Sequence, residues 1–392
     1  MLEKMKNSLS YFFKGTDVLL ILMCIVASFF GCLFVHSATL STLTEDASIS
    51  RDTFTMIIAV TIGIIAAMFI SLIDYEVILK LWPVIAGGAL ILMMSLFIFG
   101  VGPDARSDAK TWLKFGSFYF QPSELVKIAF VITLCVHIEL AGDSINKLKN
   151  IILLCVHAGI YIGLVVVTGD IGSSLVFVFI FIGMMFIADL KTRYFAIGLL
   201  AVIAAVPLIW TKIFSQIQKE RFLALLYPDS YPNVIYQQEQ CIKAIGSGRI
   251  FGKGLFKGSF TQSGVVPERQ NDMILSVIGE ELGLIGCILL LILFFFIVFR
   301  IVKNARLSKD NPGMYLCYGI ATMFASQIII NMGMCLELLP VIGITLPFMS
   351  AGGSSNLCIY IAIGVVLSVY RHNVELEANT FSVNIIKNNY KK

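Results

Sequence analysis

Charge is scarce in this sequence, and its scarcity excludes an ordinary soluble protein. Only 14% of the 392 residues are Asp, Glu, Lys or Arg, and 58% are hydrophobic. Soluble domains carry about 25% charged and roughly 45–50% apolar residues. The alternation of polar and apolar residues that is typical of strands is also absent. We therefore predict a membrane protein whose backbone is satisfied by helices.

Metal-binding and nucleotide-binding motifs are missing as well. The nine cysteines form no CxxC pair, and the four histidines follow no metal-ligand spacing. Most cysteines are expected to pack as small apolar residues, and His137 and His157 to form hydrogen bonds between helices. The phosphate-binding pattern GxxxxGK[ST] does not occur. No organic cofactor and no nucleic-acid partner are expected.

A series of apolar runs predicts ten transmembrane helices within one membrane domain, residues 1–392. Each run is long enough to cross a hydrocarbon core of about 30 Å. The fold class is therefore an all-α polytopic membrane protein. The predicted spans are 17–38, 55–73, 80–101, 122–141, 150–168, 172–189, 194–212, 273–300, 313–336 and 355–371.

Basic loops orient these helices, because Lys and Arg concentrate on the cytoplasmic side of short loops. With ten spans both termini lie on one side, and we expect that side to be the cytoplasm. Residues 213–272 then form one large extracellular loop between the seventh and eighth helices. The basic clusters are Lys147/Lys149, Lys191/Arg193, Arg300/Lys303/Arg306/Lys309 and Lys391/Lys392.

The predicted extracellular loop is basic and rich in glycine. Residues 212–272 carry eight Lys or Arg residues against five acids, and the stretch GSGRIFGKGLFKGS contains five glycines. Glycine lets backbone N–H groups approach a phosphate closely, and interleaved cations add charge. A phosphate cradle and an ordinary flexible surface loop both fit this composition.

Ionisable residues in or beside the spans are the candidates for chemistry, because such groups are costly in a membrane without a partner or a cavity. Glu124 and Lys127, in QPSELVK, share a helix face and can neutralise each other, for packing or for function. Asp170, in TGDIGSS, fits an ordinary helix cap. Glu280 and Glu281 lie inside the eighth span, where one is expected to pair with a basic residue on another helix.

Asp272 stands at the outer mouth of the eighth predicted helix, directly after the basic loop. One interpretation is a cap stabilised by the helix dipole. The other is a general base whose pKa is raised by partial desolvation. Further along, Pro340, Pro347 and a glycine pair interrupt the apolar pattern of residues 331–355. We predict a re-entrant or interrupted segment there, facing the same side as Asp272.

Several of these segments, in this order, resemble the SEDS family (shape, elongation, division and sporulation), typified by RodA, FtsW and SpoVE. The compact chain without extended tails favours the RodA-like elongation branch. The matching stretches are DAKTWLKFGSFYFQPSELVK, GDIGSS, YQQEQCIKAIGSGRIFGKGLFKG, VPERQNDMILSVIGEELGLIG and LLPVIGITLPFMSAGGSS.

The resemblance implies an inverting peptidoglycan glycosyltransferase in the bacterial cytoplasmic membrane. Such enzymes polymerise lipid II, a disaccharide-peptide on undecaprenyl pyrophosphate, into β-1,4-linked glycan at the outer face. They work among membrane lipids with a class B penicillin-binding protein, a transpeptidase. The family's essential acid, which closes its PExxxD pattern, matches Asp272. Its buried pair matches Glu124 and Lys127, and its upstream tryptophan matches Trp112.

The expected reaction begins when Asp272 takes the proton of the acceptor hydroxyl as that oxygen attacks the donor's anomeric carbon. Cations of the basic loop are expected to stabilise the leaving pyrophosphate, optionally with Mg²⁺ or Mn²⁺ between the phosphates. These cations are Arg221, Lys243, Arg249 and Lys253. The other substrate-binding candidates are Trp112, Gln121, Glu124, Lys127, Asp170, Glu268, Ser354 and Ser355.

The sequence departs from the family pattern at a few positions, but none of them removes a core carboxylate. Two other functions stay open: a lipid II flippase, which could use acids within the bundle, and a non-catalytic scaffold for the transpeptidase. The departures are Thr111, Gln270, Asn271, Glu337, Thr345 and Ala351.

Overall fold

The computed structural model describes residues 15–43, 48–102, 109–116 and 118–389, with side chains described up to residue 374. The basic tail residues Lys391 and Lys392 lie outside the described residues. Within the described part, nine helices are long and apolar enough to cross a membrane, and a tenth apolar helix has 17 residues. The chain is a multi-pass membrane protein.

Four helices precede a small sheet in the chain. They are α1 (Val18–Thr39), α2 (Arg51–Ile70), α3 (Tyr75–Lys80) and α4 (Trp82–Phe99). Asp17 caps α1 by accepting a hydrogen bond from the Leu20 backbone N–H. The third predicted span, 80–101, differs from the structure, because helix already begins at Tyr75 and breaks at Leu81. Pro83, which cannot donate a backbone hydrogen bond, then stands in the first turn of α4.

The prediction that strands are absent is wrong for the connection after α4. Three antiparallel strands occur there: β1 (Gly100–Val101), β2 (Trp112–Phe115) and β3 (Phe118–Phe120). Val101 pairs with Trp112, and Leu113 pairs with Phe120. Strands of two to four residues are too short for an alternating pattern to stand out in the sequence.

Four membrane helices follow the sheet: α5 (Pro122–Ala141), α6 (Leu148–Val167), α7 (Ile171–Ile187) and α8 (Thr192–Leu208). The predicted hydrogen bond between α5 and α6 is confirmed, because His137 Nδ1 and His157 Nδ1 lie 3.0 Å apart. No residue of α8 is buried and most are exposed, so this helix lies at the edge of the bundle.

The predicted extracellular loop is largely helical rather than irregular. It contains α9 (Gln216–Leu226), α10 (Pro232–Ser247) and α11 (Ser259–Ser263). α10 is strongly amphipathic and packs its apolar side on the bundle. Gln238, on α10, donates to the backbone carbonyls of Met334 and Leu339 at 2.7 and 2.9 Å.

The last three helices complete the core. They are α12 (Ile274–Leu307), α13 (Asn311–Cys335) and α14 (Gly353–Asn389). α12 and α14 extend beyond the predicted ends at 300 and 371. α14 lies against α2 so closely that a Cβ atom on Gly63 would be 2.9 Å from the Tyr360 side chain. Residues 336–352, between α13 and α14, form no helix, which confirms the predicted interruption.

Candidate active site

Residues 336–352, here called the interrupted segment, lie at the centre of the candidate site. Asn331, near the end of α13, donates to the carbonyl of Ile344 at 2.7 Å. The Ala351 N–H donates to the carbonyl of Gln270 at 2.8 Å. Arg221, on α9, donates to the carbonyl of Val341 at 2.8 Å. Side chains and backbone from the basic segment 213–272 therefore meet the interrupted segment directly.

Asp272 lies beside this segment with its carboxylate buried. The residue is 8% exposed, and among the described residues its Oδ1 atom has no hydrogen-bond partner. Burial raises the pKa of Asp272 to about 7, the charge of Glu268 adds to the rise, and the charge of Arg221 opposes it. A carboxylate half-ionised near neutral pH is suited to accept a proton during a reaction.

The capping interpretation of Asp272 does not fit the structure. α12 begins at Ile274, and its N-cap is Met273, with no side-chain capping bond. The Asp272 backbone carbonyl instead accepts a 2.7 Å hydrogen bond from Asn331 Nδ2. A buried carboxylate that neither caps a helix nor forms an ion pair with a cation in the described part of the chain costs folding free energy. Such a cost is typical of functional sites.

Glu124 and Lys127 form the predicted pair on α5. Lys127 Nζ lies 2.8 Å from Glu124 Oε1, and both side chains are buried. The second carboxylate oxygen accepts a 3.3 Å hydrogen bond from Ser355, at the start of α14. Ser355 also lies 3.0 Å from the Thr345 hydroxyl. The pair thereby connects α5 to both α14 and the interrupted segment.

Asp170 caps α7 as predicted and also joins α7 to the start of α5. Its carboxylate accepts from the backbone N–H of Ser173 at 3.0 Å and from Gln121 Nε2 at 2.8 Å. Ser123 Oγ donates to it at 2.9 Å. The Gln121 backbone N–H donates in turn to Ser354 Oγ at 3.3 Å. These contacts bring six of the predicted site residues to one end of the bundle: Gln121, Glu124, Lys127, Asp170, Ser354 and Ser355.

The structure separates the four predicted pyrophosphate-binding cations. Arg221 contacts the interrupted segment and lowers the pKa of Asp272 by its charge. Lys243 pairs with Glu239 at 3.0 Å on the exposed side of α10. Arg249 is exposed. Lys253 is bound to Glu280 at 2.7 Å. Only Arg221 is therefore placed by these contacts at Asp272 and the interrupted segment.

Two further predicted residues are only half-buried or exposed. Trp112 is half-buried on β2. Glu268 is exposed, and its carboxylate accepts a 2.6 Å hydrogen bond from Asn271. Its φ of +51° places it in the left-handed region, which is unusual for a residue other than glycine.

The carboxylate of Glu280, on α12, lies against the glycine-rich stretch and α11. Its carboxylate accepts hydrogen bonds from the backbone N–H groups of Phe260 and Thr261 at 2.9 and 2.7 Å, and from the Thr261 hydroxyl at 2.8 Å. Lys253 neutralises its charge. The expectation of a basic partner on another helix is therefore wrong, because the partner comes from the loop. The anion of this region is therefore a side chain of the protein itself, held by donors on α11 and by Lys253 of the stretch.

Sequence reasoning missed two residues that hold the site together. Asn331 bridges the carbonyls of Asp272 and Ile344, each at 2.7 Å. Arg269 is buried and donates to the carbonyl of Ala38 at 2.8 Å and to the Ser41 hydroxyl at 3.0 Å. A polar side chain inside an apolar span was the available signal for Asn331.

A resident metal ion does not fit the described residues. Among them, no group of three or more His, Cys, Asp or Glu side chains could hold one. Mg²⁺ in enzymes of phosphate compounds takes many of its oxygen ligands from phosphates and water. The described side chains therefore do not supply a complete ligand set for Mg²⁺ or Mn²⁺.

A buried acid whose pKa is raised to near neutrality, set beside the start of a membrane helix and a basic segment, is typical of membrane-embedded enzymes. The chain belongs to the FtsW/RodA/SpoVE family, because the family model described as "Cell cycle protein" matches residues 17–375. The resemblance found in the sequence is confirmed.

Named relatives cover most of the chain. The probable peptidoglycan glycosyltransferase FtsW of Geobacter sp. (strain M18) is 31% identical over 364 residues, which are 91% of this chain and 97% of that protein. The peptidoglycan glycosyltransferase MrdB of Escherichia coli (strain K12) is 31% identical over 286 residues, which are 72% of this chain and 76% of that protein.

Solved structures share the fold. One, titled "Structural coordination of polymerization and crosslinking by a peptidoglycan synthase complex", matches with a TM-score of 0.75 and 24% identity, covering 91% of this chain and 98% of that one. The rod shape determining protein RodA of Thermus thermophilus matches with a TM-score of 0.67 and 23% identity, covering 91% and 97%.

Proposed function

We propose that this chain, a peptidoglycan glycosyltransferase of cell wall synthesis, polymerises lipid II into β-1,4-linked glycan at the outer face of the cytoplasmic membrane. The observation that carries the proposal is the buried Asp272 carboxylate, whose pKa is raised to about 7 and whose Oδ1 atom has no partner among the described residues. This carboxylate can act as a general base at physiological pH.

In the proposed reaction, Asp272 takes the proton of the acceptor sugar hydroxyl as that oxygen forms a bond to the donor's anomeric carbon. The bond from that carbon to the pyrophosphate oxygen breaks, and the lipid pyrophosphate leaves with the electron pair. Attack opposite the leaving group inverts the anomeric carbon. The proton then passes from Asp272 to solvent, which restores the base.

Arg221 is the cation that we assign to the leaving pyrophosphate. Its charge already acts on Asp272, and its bond to the Val341 carbonyl fixes it at the interrupted segment. Preorganised positive charge near a developing anion lowers the barrier. Lys253 is committed to Glu280, so its contribution is to the shape of the loop. Trp112 and Glu268 are proposed to contact the sugars.

The buried network from Gln121 to Ser355 is proposed to position the interrupted segment. Its members hold one another through the contacts of Glu124 and Asp170 with serine hydroxyls. Because Glu124 and Lys127 are almost fully enclosed, they act on substrate through the groups that they position. The interrupted segment in turn presents its backbone beside Asp272.

The proposed topology has ten spans, with the 17-residue α7 as the sixth. Both termini are cytoplasmic, and residues 213–272 are extracellular. The basic residues Arg300, Lys303 and Arg306 at the end of α12 support this orientation. We also propose a class B penicillin-binding protein as partner. A solved structure with the same fold bears a title that joins polymerisation to crosslinking in one synthase complex.

Polymerisation of labelled lipid II by the purified full-length protein tests the proposed function. We expect glycan chains from the protein alone and faster synthesis with its transpeptidase. Translocation of lipid II across vesicles with no polymer would contradict the proposal and favour transport. Folded protein that forms no polymer, either alone or with its transpeptidase, would favour the non-catalytic scaffold.

A further inference from the structure

The glycine-rich stretch meets α12 where that helix is broken. Gly283 has φ +67° and ψ −162°, so the helix is interrupted there. The backbone N–H groups of Leu284 and Ile285 donate outward instead, to the carbonyls of Arg249 at 2.9 Å and Ile250 at 3.2 Å. The carbonyls of the glycine-rich stretch thus accept hydrogen bonds from the N–H groups at the helix break. These bonds hold residues 249–250 beside Gly283.

Two more backbone bonds run in the opposite direction. The Lys253 N–H donates to the Glu280 carbonyl and the Gly254 N–H to the Glu281 carbonyl, each at 3.0 Å. Beside these two bonds, the backbone of the glycine-rich stretch approaches the backbone of α12 very closely. A Cβ atom on Gly252 would lie 2.1 Å from the Glu281 carbonyl oxygen. Residues 249–251, here called the tip, are consequently held on α12 and cannot swing away from it without breaking these contacts.

The tip lies at the edge of the hydrocarbon core. Residues 282–299 of α12 contain no charged side chain and are bounded by Glu281 and Arg300. Their 18 residues span about 27 Å as helix, close to the thickness of the core. Gly283 stands at the first turn of this apolar stretch. The backbone bonds therefore place the tip at the boundary between headgroups and acyl chains.

The side chains of the tip suit that boundary. Phe251 is 81% exposed and Ile250 is 55% exposed, and Arg249 beside them is exposed too. On α12 at the same level, Leu284 and Ile285 are also exposed, as lipid-facing residues are. Aromatic and aliphatic side chains next to a cation are typical of membrane interfaces, where the apolar part enters the acyl region and the cation meets phosphate.

We propose that the tip is a membrane anchor whose partner is the phospholipid leaflet on the Asp272 side. Ile250 and Phe251 insert among the upper acyl chains, continuing the lipid-facing side of α12, and Arg249 binds an anionic headgroup. In water, the exposed Phe251 side chain would stay hydrated, which is unfavourable for an aromatic ring. In the bilayer it is removed from water. The anchor holds the basic segment at headgroup level.

Tryptophan fluorescence in nanodiscs of anionic phospholipid tests this anchor. The full-length protein, with Trp82, Trp112 and Trp210 each replaced by Phe, receives Phe251→Trp. We expect blue-shifted emission and strong quenching by lipids brominated in the upper acyl chain. The matched control is Tyr236→Trp in the same background. Tyr236 is exposed on α10, about 16 Å along that helix from its end at Ser247.

Quenching by brominated lipid is expected to be several-fold stronger at position 251 than at position 236. Equal quenching at the two positions, or stronger quenching of position 251 by aqueous iodide than by brominated lipid, would overturn the proposal. Ile250→Trp provides a second position with the same expectation should Phe251→Trp fail to fold, as judged by thermal unfolding.

Discussion

Replacing Asp272 by Asn is expected to abolish glycan polymerisation by the purified protein. Asparagine keeps the size and shape of the side chain but cannot accept a proton from the sugar hydroxyl. General-base catalysis contributes about 10²- to 10⁴-fold to rate, so the loss should be at least of this order. The rate of lipid II consumption, measured at pH 8, is the readout. Asp229→Asn, an exposed acid in the same basic segment, is the matched control and should leave the rate unchanged.

The same substitution is expected to stabilise the fold, which separates lost catalysis from misfolding. Because burial raises the pKa of Asp272 to about 7, the folded state binds this proton more tightly than the unfolded state. Stability therefore falls as pH rises from the ordinary Asp value to about 7 and is constant above it. A neutral Asn avoids this loss and should raise the free energy of unfolding at pH 8 by up to about 4 kcal/mol. An active variant, or one destabilised at pH 8, would contradict the assignment.

Removing the charge of Lys127 while Glu124 keeps its own is expected to unfold a large fraction of the protein molecules. Lys127→Met leaves a buried carboxylate without its cation, which costs roughly 3–5 kcal/mol. The double variant Glu124→Gln/Lys127→Met removes both charges and should recover most of that stability, because the glutamine oxygen can still accept from Ser355. Thermal unfolding in detergent measures both variants against the parent protein.

Activity of the double variant then distinguishes packing from chemistry. We expect polymerisation to be largely retained, because Lys127 and Glu124 are enclosed and position other groups. A double variant that is as stable as the parent but inactive would show that the charges themselves act in the reaction. Lys80→Met, which breaks an exposed pair with Glu76, is the control and should change neither property.

Local rules were sufficient for several of the membrane helices and for part of the site. Pro122 marks the start of α5, and the predicted span 122–141 coincides with the helix in the structure. The spacing of Glu124 and Lys127 alone indicated that they share a face, and their 2.8 Å contact follows from it. Asp170 caps α7 because it directly precedes the helix, where its carboxylate can reach a free backbone N–H.

Contacts distant in sequence could not be predicted in this way. The glycine-rich stretch carries no sign that its Lys253 pairs with Glu280, which lies on α12. The role of Asp272 depends on where α12 begins, and Met273 rather than Asp272 takes the N-cap position. Asn331 bridges Asp272 and Ile344 only because the chain after α13 folds back. Each of these features is set by tertiary packing, which the local sequence does not encode.

The pH dependence of polymerisation by the unmodified protein tests most directly whether ionisation of Asp272 controls the reaction. We expect kcat/KM to rise about tenfold per pH unit at low pH and to level off above about pH 7, where the carboxylate is ionised. A rate that does not change between about pH 5 and pH 8 would contradict the assignment of Asp272 as the base.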